Sequence, residues 1–137
     1  MNTQNLHGPL VRVKRGCLSN LPEGCKATKM KIGTWNVPTL NNETDFKLQN
    51  LLCEMTRLKI NILGIAETHW SKEMPESFEQ DGYVIIKSSR NDKIHRQGVG
   101  IVLSKDTCEY MCDYELCSEK IMSIEIEVGK KEKLRIF

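Results

Sequence analysis

The fold of this 137-residue chain is constrained most strongly by two apolar segments, each of which has a polar residue at or next to its end. The first covers residues 31–37 and carries Asn36 near its end, and the second covers residues 60–66 and is followed by Glu67. Both have the length and composition of buried strands. Because the carboxyl ends of neighbouring parallel strands meet at one edge of a sheet, we expect the Asn36 amide and the Glu67 carboxylate to lie side by side.

A helix is predicted between these two strands. Asn41 and Asn42 offer an N-cap, and the apolar residues that follow recur at helical spacing. The face that is expected to pack on the sheet comprises Leu48, Leu51, Leu52, Met55 and Leu58. Cys53 is predicted to be a small core residue of the same helix.

The pattern of apolar and polar residues in the second half of the chain predicts antiparallel strands. Residues 83–87 and 98–104 are apolar and are separated by a polar stretch, whereas residues 71–81 are typical of a charged loop. Residues 121–128 alternate between polar and apolar side chains, and residues 134–137 begin a return strand.

Composition narrows the class of protein. No apolar run reaches the roughly 18 residues that a membrane span needs, and no secretory signal is recognisable, so we expect a nuclear or cytoplasmic protein that is not secreted. Residues 1–29 have no helical or strand period and are rich in Lys and Arg, which predicts a flexible basic leader. Residues 30–137 are then the folded domain.

The cysteines, tryptophans and strand glycines of the domain are predicted to have structural rather than catalytic or binding roles. Without a secretory context, the cysteines are predicted to be free thiols, and the spacing Cys108-x3-Cys112-x4-Cys117 departs from the usual zinc pairs. Trp35 and Trp70 flank buried strands and are predicted to be core or rim residues. The glycines of residues 98–100 are expected to lie in a strand where another backbone comes close.

The motifs GTWNV, ILGIAETHW, GYVIIKSSR, GVGIVLSK and IMSIEIEVGKKEKLRIF, in this order and spacing, resemble the N-terminal part of the endonuclease/exonuclease/phosphatase superfamily. Within it, the chain looks most like the endonuclease domains of LINE-type non-LTR retrotransposons and craniofacial development protein-like relatives. The resemblance covers about residues 30–137. It implies an α/β fold, namely a truncated N-terminal portion of a four-layered α/β sandwich.

The resemblance also implies a chemistry. The complete form would hydrolyse DNA phosphodiester bonds with Mg²⁺ or Mn²⁺, with Glu67 as the metal-binding carboxylate and Asn36 as a hydrogen-bonding partner of the catalytic groups or the phosphate. The family's later motifs, which include its general base, would lie beyond Phe137, so we expect this chain alone to be inactive. Lys120 stands where relatives often carry Arg, which weakens the expectation of a bidentate phosphate contact there.

DNA is the partner that the resemblance implies, and its contacts are expected on the polar loop that carries Arg90, Lys93 and Arg96. A solvated loop is an equal alternative for these three residues. Two other functions stay open. The first is a non-enzymatic half-domain whose open sheet binds a sheet-completing protein partner, and the second is a phosphatase of the same superfamily.

Overall fold

A computed structural model describes residues 30–37, 45–70, 74–88, 98–118 and 120–137. The predicted leader, residues 1–29, lies outside the described residues. The elements are β1 (Ile32–Asn36), α1 (Asp45–Leu58), β2 (Ile62–Ala66), β3 (Ser77–Gln80), β4 (Tyr83–Lys87), β5 (Val99–Ser104), α2 (Lys105–Cys108), β6 (Met111–Leu116), β7 (Met122–Gly129) and β8 (Glu132–Ile136). Within this part of the chain, no helix is both long and apolar enough to cross a membrane.

Five strands form the larger sheet, in the order β1-β2-β5-β4-β3. β1 and β2 are parallel, as the strand–helix–strand pattern predicts, and the other three pairs of neighbouring strands are antiparallel. The smaller sheet has the order β6-β7-β8 and is antiparallel throughout. The predicted return strand at the end of the chain is therefore confirmed.

Helix α1 covers one face of the larger sheet. Four of its predicted core residues, Leu48, Leu51, Leu52 and Met55, are buried and pack with side chains of the sheet such as Leu63 and Ile65. The prediction was wrong for Leu58, which is 42% exposed because it is the last residue of the helix. It was also wrong for Cys53, which is exposed although the preceding residue, Leu52, is buried.

The smaller sheet covers the opposite face. A second apolar cluster joins Ile62, Ile86 and Leu103 of the larger sheet to Ile124 and Ile126 of the smaller one. The described residues thus form three layers, a helix and two sheets. The α/β class is confirmed, and the four-layered sandwich stays a prediction.

Three elements were not predicted. The charged loop contains β3, which forms a hairpin with β4 through a turn at Asp81 and Gly82. Both turn residues have positive φ, at 50° and 81°, as a two-residue hairpin turn of type I′ requires. The short helix α2 and strand β6 also lie where no element was expected.

The two tryptophans differ. Trp70 is buried and packs edge to face against Phe78 with ring centroids 6.0 Å apart, as predicted. Trp35 is 46% exposed, so its assignment to the core was wrong. Its strand, β1, is the outermost strand of the sheet, and no described strand lies on the side of β1 away from β2.

Candidate functional site

The strand register gathers four strand ends at one edge of the larger sheet. Asn36, the last residue of β1, is paired with Ala66, the last residue of β2. Ala66 is in turn paired with Val99 at the start of β5, and Lys87 at the end of β4 is paired with Gly100. We call this the polar edge, and it is the part of the sheet where the sequence predicts a site.

Glu67 follows Ala66 directly and is exposed. Its backbone lies in the left-handed region with φ 58°, and that of His69 does so with φ 51°. This conformation costs a non-glycine residue on the order of 1 kcal/mol or more and is enriched at functional sites. On an extended backbone, residues 67 and 69 would present their side chains on one strand face. Because neither Glu67 nor His69 is extended, they do not share such a face.

Hydrogen bonds on both sides hold the Glu67 turn in place. The Val37 amide donates to the Ala66 carbonyl at 3.1 Å, and the Thr68 amide donates to the Gly98 carbonyl at 3.3 Å. Thr68 itself is 1% exposed. The backbone is thus fixed before and after Glu67, and the carboxylate is presented outward from a constrained turn.

Gly98 permits this arrangement. A Cβ atom at Gly98 would lie 2.6 Å from the Thr68 Oγ1 atom, so any larger residue requires the turn to shift. A Cβ at Gly100 would lie 3.1 Å from side-chain atoms of both Ile65 and Trp70. The prediction that another backbone comes close at these glycines was wrong, because the tightest approaches are made by side chains.

Asn36 is exposed at the end of β1. Neighbouring strands of a sheet are about 4.8 Å apart, so the pairing of Asn36 with Ala66 places the amide and the turn that carries Glu67 next to each other. The structure therefore brings the two predicted site residues together. The segment 38–44, whose turn Asn36 could instead cap, lies outside the described residues.

The oxygen atoms of the Glu67 carboxylate and the Asn36 amide at the polar edge are suitable ligands for a hard cation. Carboxylate and amide oxygens are ligands that Mg²⁺ accepts, and Mg²⁺ keeps several waters, so a single carboxylate can hold it together with phosphate oxygens. Among the described residues there is no group of three or more His, Cys, Asp and Glu that could hold a metal. Cys108, Cys112 and Cys117 are free thiols, in agreement with the sequence prediction.

Lys87 is a feature of this edge that sequence reasoning missed. The residue is 0% exposed, and burial lowers the pKa of its ammonium group to about 8, against an opposing contribution from Glu76. The Lys87 amide also donates to the Glu76 carbonyl at 2.8 Å. The only signal in the sequence is a lysine that closes an otherwise apolar strand.

Glu76 connects the two sheets near the polar edge. Its Oε1 accepts a hydrogen bond from the Tyr114 hydroxyl on β6 at 3.0 Å. Burial and the neighbouring Glu76 carboxylate raise the pKa of the Tyr114 phenol above its usual range.

The predicted DNA contacts Arg90, Lys93 and Arg96 lie outside the described residues.

Comparison with known proteins gives one group of relatives. No family model matches the chain. Craniofacial development protein 2 of Bos taurus and that of Tragulus javanicus are each 30% identical to the chain over 112 residues. The match covers 82% of the chain but 18% of each relative, so the chain corresponds to a small part of their length. Over most of its own length, this chain is similar to one segment of craniofacial development protein 2.

Proposed function

We propose that this chain is the part of a retrotransposon-derived endonuclease-like domain that carries Asn36 and Glu67. The complete form would hydrolyse DNA phosphodiester bonds with Mg²⁺ or Mn²⁺. The observation that supports this proposal is the constrained, left-handed turn that presents the Glu67 carboxylate beside Asn36 at the polar edge. A carboxylate that needed only solvent would not require such a backbone.

In this proposal each residue has a chemical role. Glu67 would hold the cation, which when bound offsets negative charge on the phosphate. The Asn36 amide would donate a hydrogen bond to a phosphate oxygen at the same edge. Hydrolysis also needs a group that activates water, worth roughly 10²–10⁴-fold in rate, and the later motifs in which the resemblance places this general base are not found in residues 1–137. We therefore expect the chain to bind metal and phosphate without turnover.

Paramagnetic Mn²⁺ tests the metal role in the 137-residue chain. We expect low Mn²⁺ concentrations to broaden the backbone amide resonances around Asn36 and Glu67 first, and Mg²⁺ to compete. Glu67→Gln should remove this selective broadening. Glu109→Gln is the matched control, because Glu109 is an exposed carboxylate just after α2, which follows the opposite end of β5. Broadening that survives Glu67→Gln would contradict the assignment.

Plasmid nicking tests the reaction. With Mg²⁺ and the chain alone, supercoiled plasmid should stay supercoiled. Magnesium-dependent nicking that Glu67→Gln abolishes would show that the chain is already a nuclease, whereas nicking that survives this change would overturn the role of Glu67. Hydrolysis of a phosphomonoester without any nicking would favour the phosphatase alternative.

A further inference from the structure

A buried positive charge lies at the polar edge. Lys87, the last residue of β4, is 0% exposed, whereas Glu67 at the same edge is exposed. Lysine is rarely buried to this extent, because its ammonium group loses its hydration. An apolar residue could end the strand without that cost. The buried ammonium group is therefore a candidate for a functional role.

The strand register sets the distance between this charge and the predicted metal ligand. Lys87 is paired with Gly100 of β5. The preceding residue of β5, Val99, is paired with Ala66, which Glu67 follows. Because β5 lies between β4 and β2, the two outer backbones at this edge are two strand spacings apart, or about 10 Å.

Lys87 and Trp70 lie on the same face of the sheet. Directly opposite residues of an antiparallel pair share a face, so the Lys87 side chain is on the face of Gly100. A Cβ atom at Gly100 would lie 3.1 Å from the Trp70 ring, so the ring covers this face. Trp70 follows closely after Glu67 in the sequence. The segment that carries the carboxylate thus continues over the face on which the lysine lies.

Among the described residues, charged and titratable groups lie on three sides of this strand end. The Glu76 carbonyl accepts a hydrogen bond from the Lys87 amide at 2.8 Å, and the Glu76 carboxylate favours the charged ammonium group. Tyr114 of β6 donates to that carboxylate at 3.0 Å. Glu67 and His69 belong to the turn after β2. The buried α1 side chains that pack on this face of the sheet are apolar.

We propose that Lys87 controls the affinity of the polar edge for a divalent cation, because its protonated side chain opposes cation binding at Glu67. This inference rests on the proposed function, since it concerns the cation that Glu67 would hold. Glu76 does not cancel the effect, because β4 lies between β3 and β5 and Lys87 is therefore one strand closer to Glu67. Loss of the proton would leave a neutral amine beside the Glu76 carboxylate, and that arrangement favours the cation.

The separation determines the size of the effect. At about 10 Å, repulsion between a unit charge and a divalent cation lowers the binding constant roughly tenfold, for an effective dielectric constant between that of a protein surface and that of water. Burial lowers the pKa of Lys87 to about 8. The affinity for Mg²⁺ should therefore rise about tenfold as the pH increases from about 7 to about 9.

The pKa of Lys87 without and with Mg²⁺ provides a test that does not depend on activity. Coupling between two binding events is reciprocal, so a saturating concentration of Mg²⁺ should lower the pKa of Lys87 by about one pH unit. NMR titration of the 137-residue chain, with lysine labelled with a carbon isotope at Cε, measures both values, and Lys87→Met identifies the resonance. In Glu67→Gln, the pKa of Lys87 should not respond to Mg²⁺.

Two variants fix the charge in opposite states. Lys87→Met is neutral at every pH, and we expect it to bind Mg²⁺ about tenfold more tightly than the parent at about pH 7 and equally well at about pH 9.5. Lys87→Arg stays charged and should bind weakly over the whole range. Titration of other groups, such as His69, is common to all three proteins and cancels in the comparison. Amide spectra show whether each variant is folded, and the pKa measurement in the parent needs no variant at Lys87 that must bind.

Four results would overturn this inference, and Mn²⁺ broadening at Glu67 shows whether the proposed function fails with it. If Mn²⁺ broadens the Glu67 resonance, the inference alone is wrong when Mg²⁺ leaves the pKa of Lys87 unchanged, or when the parent and Lys87→Met bind Mg²⁺ equally at about pH 7. A response of Lys87 to Mg²⁺ that persists in Glu67→Gln would place the cation elsewhere and overturn both. If neither the parent nor Lys87→Met binds a cation at Glu67, both are likewise wrong.

Discussion

At the scale of single residues, Gly98 controls the polar edge because its missing side chain admits Thr68. We expect Gly98→Ala to lower the free energy of unfolding by about 1–3 kcal/mol, the usual cost of overpacking. Gly64→Ala is the control, since a Cβ there would meet its nearest side-chain atom at an ordinary 3.7 Å. Urea denaturation of both variants measures the difference.

A double mutant locates the cause. If the clash with the Thr68 Oγ1 atom is responsible, Gly98→Ala combined with Thr68→Ala should cost less than the sum of the two single changes. Additive costs would show that the backbone, rather than the hydroxyl, excludes the extra methyl group.

Because Lys87 is buried and its pKa is lowered, we expect the free energy of unfolding to depend on pH. Its folded-state pKa, about 8, lies below the ordinary value of 10.5, so the unfolded chain binds more protons between these pH values. The contribution of this group to the free energy of unfolding should therefore rise as the pH increases from about 8 to 10.5, by at most about 1.4 kcal/mol per pH unit. Below pH 8 the cost of burying the charge is fully present.

Comparison with Lys87→Met isolates this effect. We expect the variant to be more stable than the parent at pH 7 and the advantage to shrink by pH 10, as measured by urea denaturation at matched pH. The raised pKa values of Cys108 and Tyr114 act in the opposite direction at high pH, but they are common to both proteins and cancel in the difference. A difference that does not vary with pH would contradict the assignment.

The positions of Asn36 and Glu67 could be predicted from the sequence, because both follow apolar runs whose ends a parallel pair must bring together. The left-handed backbone at Glu67 could not, since it depends on Thr68 and on Gly98 from a distant part of the chain. Burial of Lys87 was equally hidden, because a lysine at a strand end is usually solvated.

At the scale of secondary structure, α1 shows how helical periodicity succeeds inside an element and fails at its end. We expect Leu52→Ala to lower the free energy of unfolding by about 2–5 kcal/mol, because Leu52 is 2% exposed in the core. Leu58→Ala, at the exposed end of the same face, should cost less than about 1 kcal/mol. If urea denaturation gave equal losses of free energy of unfolding for the two variants, Leu58 and the last turn of α1 would have to pack against the core in solution.

Two of the missed elements had different causes. The sequence Asp81-Gly82 is a strong hairpin signal, but the residues before it include Glu79 and Gln80, and their polarity suggested a loop. Strand β6 alternates, with Tyr114 and Leu116 partly buried and Asp113 and Glu115 exposed. The period is short, and in the sequence Cys112 was considered only for its metal spacing with Cys108 and Cys117.

At the scale of the whole molecule, charge does not favour DNA binding, because the net charge is +2 over 137 residues. Any affinity for DNA should then depend on a local group. We expect replacement of Arg90, Lys93 and Arg96 by Ala to weaken binding to duplex DNA. The slope of log K against log salt concentration should become shallower by about one for each phosphate that these side chains neutralise.

Replacement of three exposed lysines elsewhere, Lys130, Lys131 and Lys133, is the control for the change in net charge. Fluorescence anisotropy over a series of salt concentrations measures both sets. Equal effects from the two sets would indicate non-specific attraction rather than a contact on the predicted loop.

The order of strands in the larger sheet was beyond reach of the sequence. Periodicity identifies β2, β4 and β5 as buried strands, but it does not show that β5 lies between the other two. That placement depends on side-chain packing between sheets, where Ile101 and Leu103 meet the smaller sheet. The resemblance supplied a fold class, and the pairing had to come from the structure.

The register of the larger sheet has a consequence for folding kinetics. The hairpins β3–β4 and β7–β8 close through two-residue turns and can form within about microseconds, whereas the partners of β2 are 30 or more residues distant in the sequence. Because closing these longer loops costs more entropy, we expect β2 to join the sheet after the two hairpins have formed. Because Glu67 follows β2, the polar edge would be among the last parts of the protein to assemble.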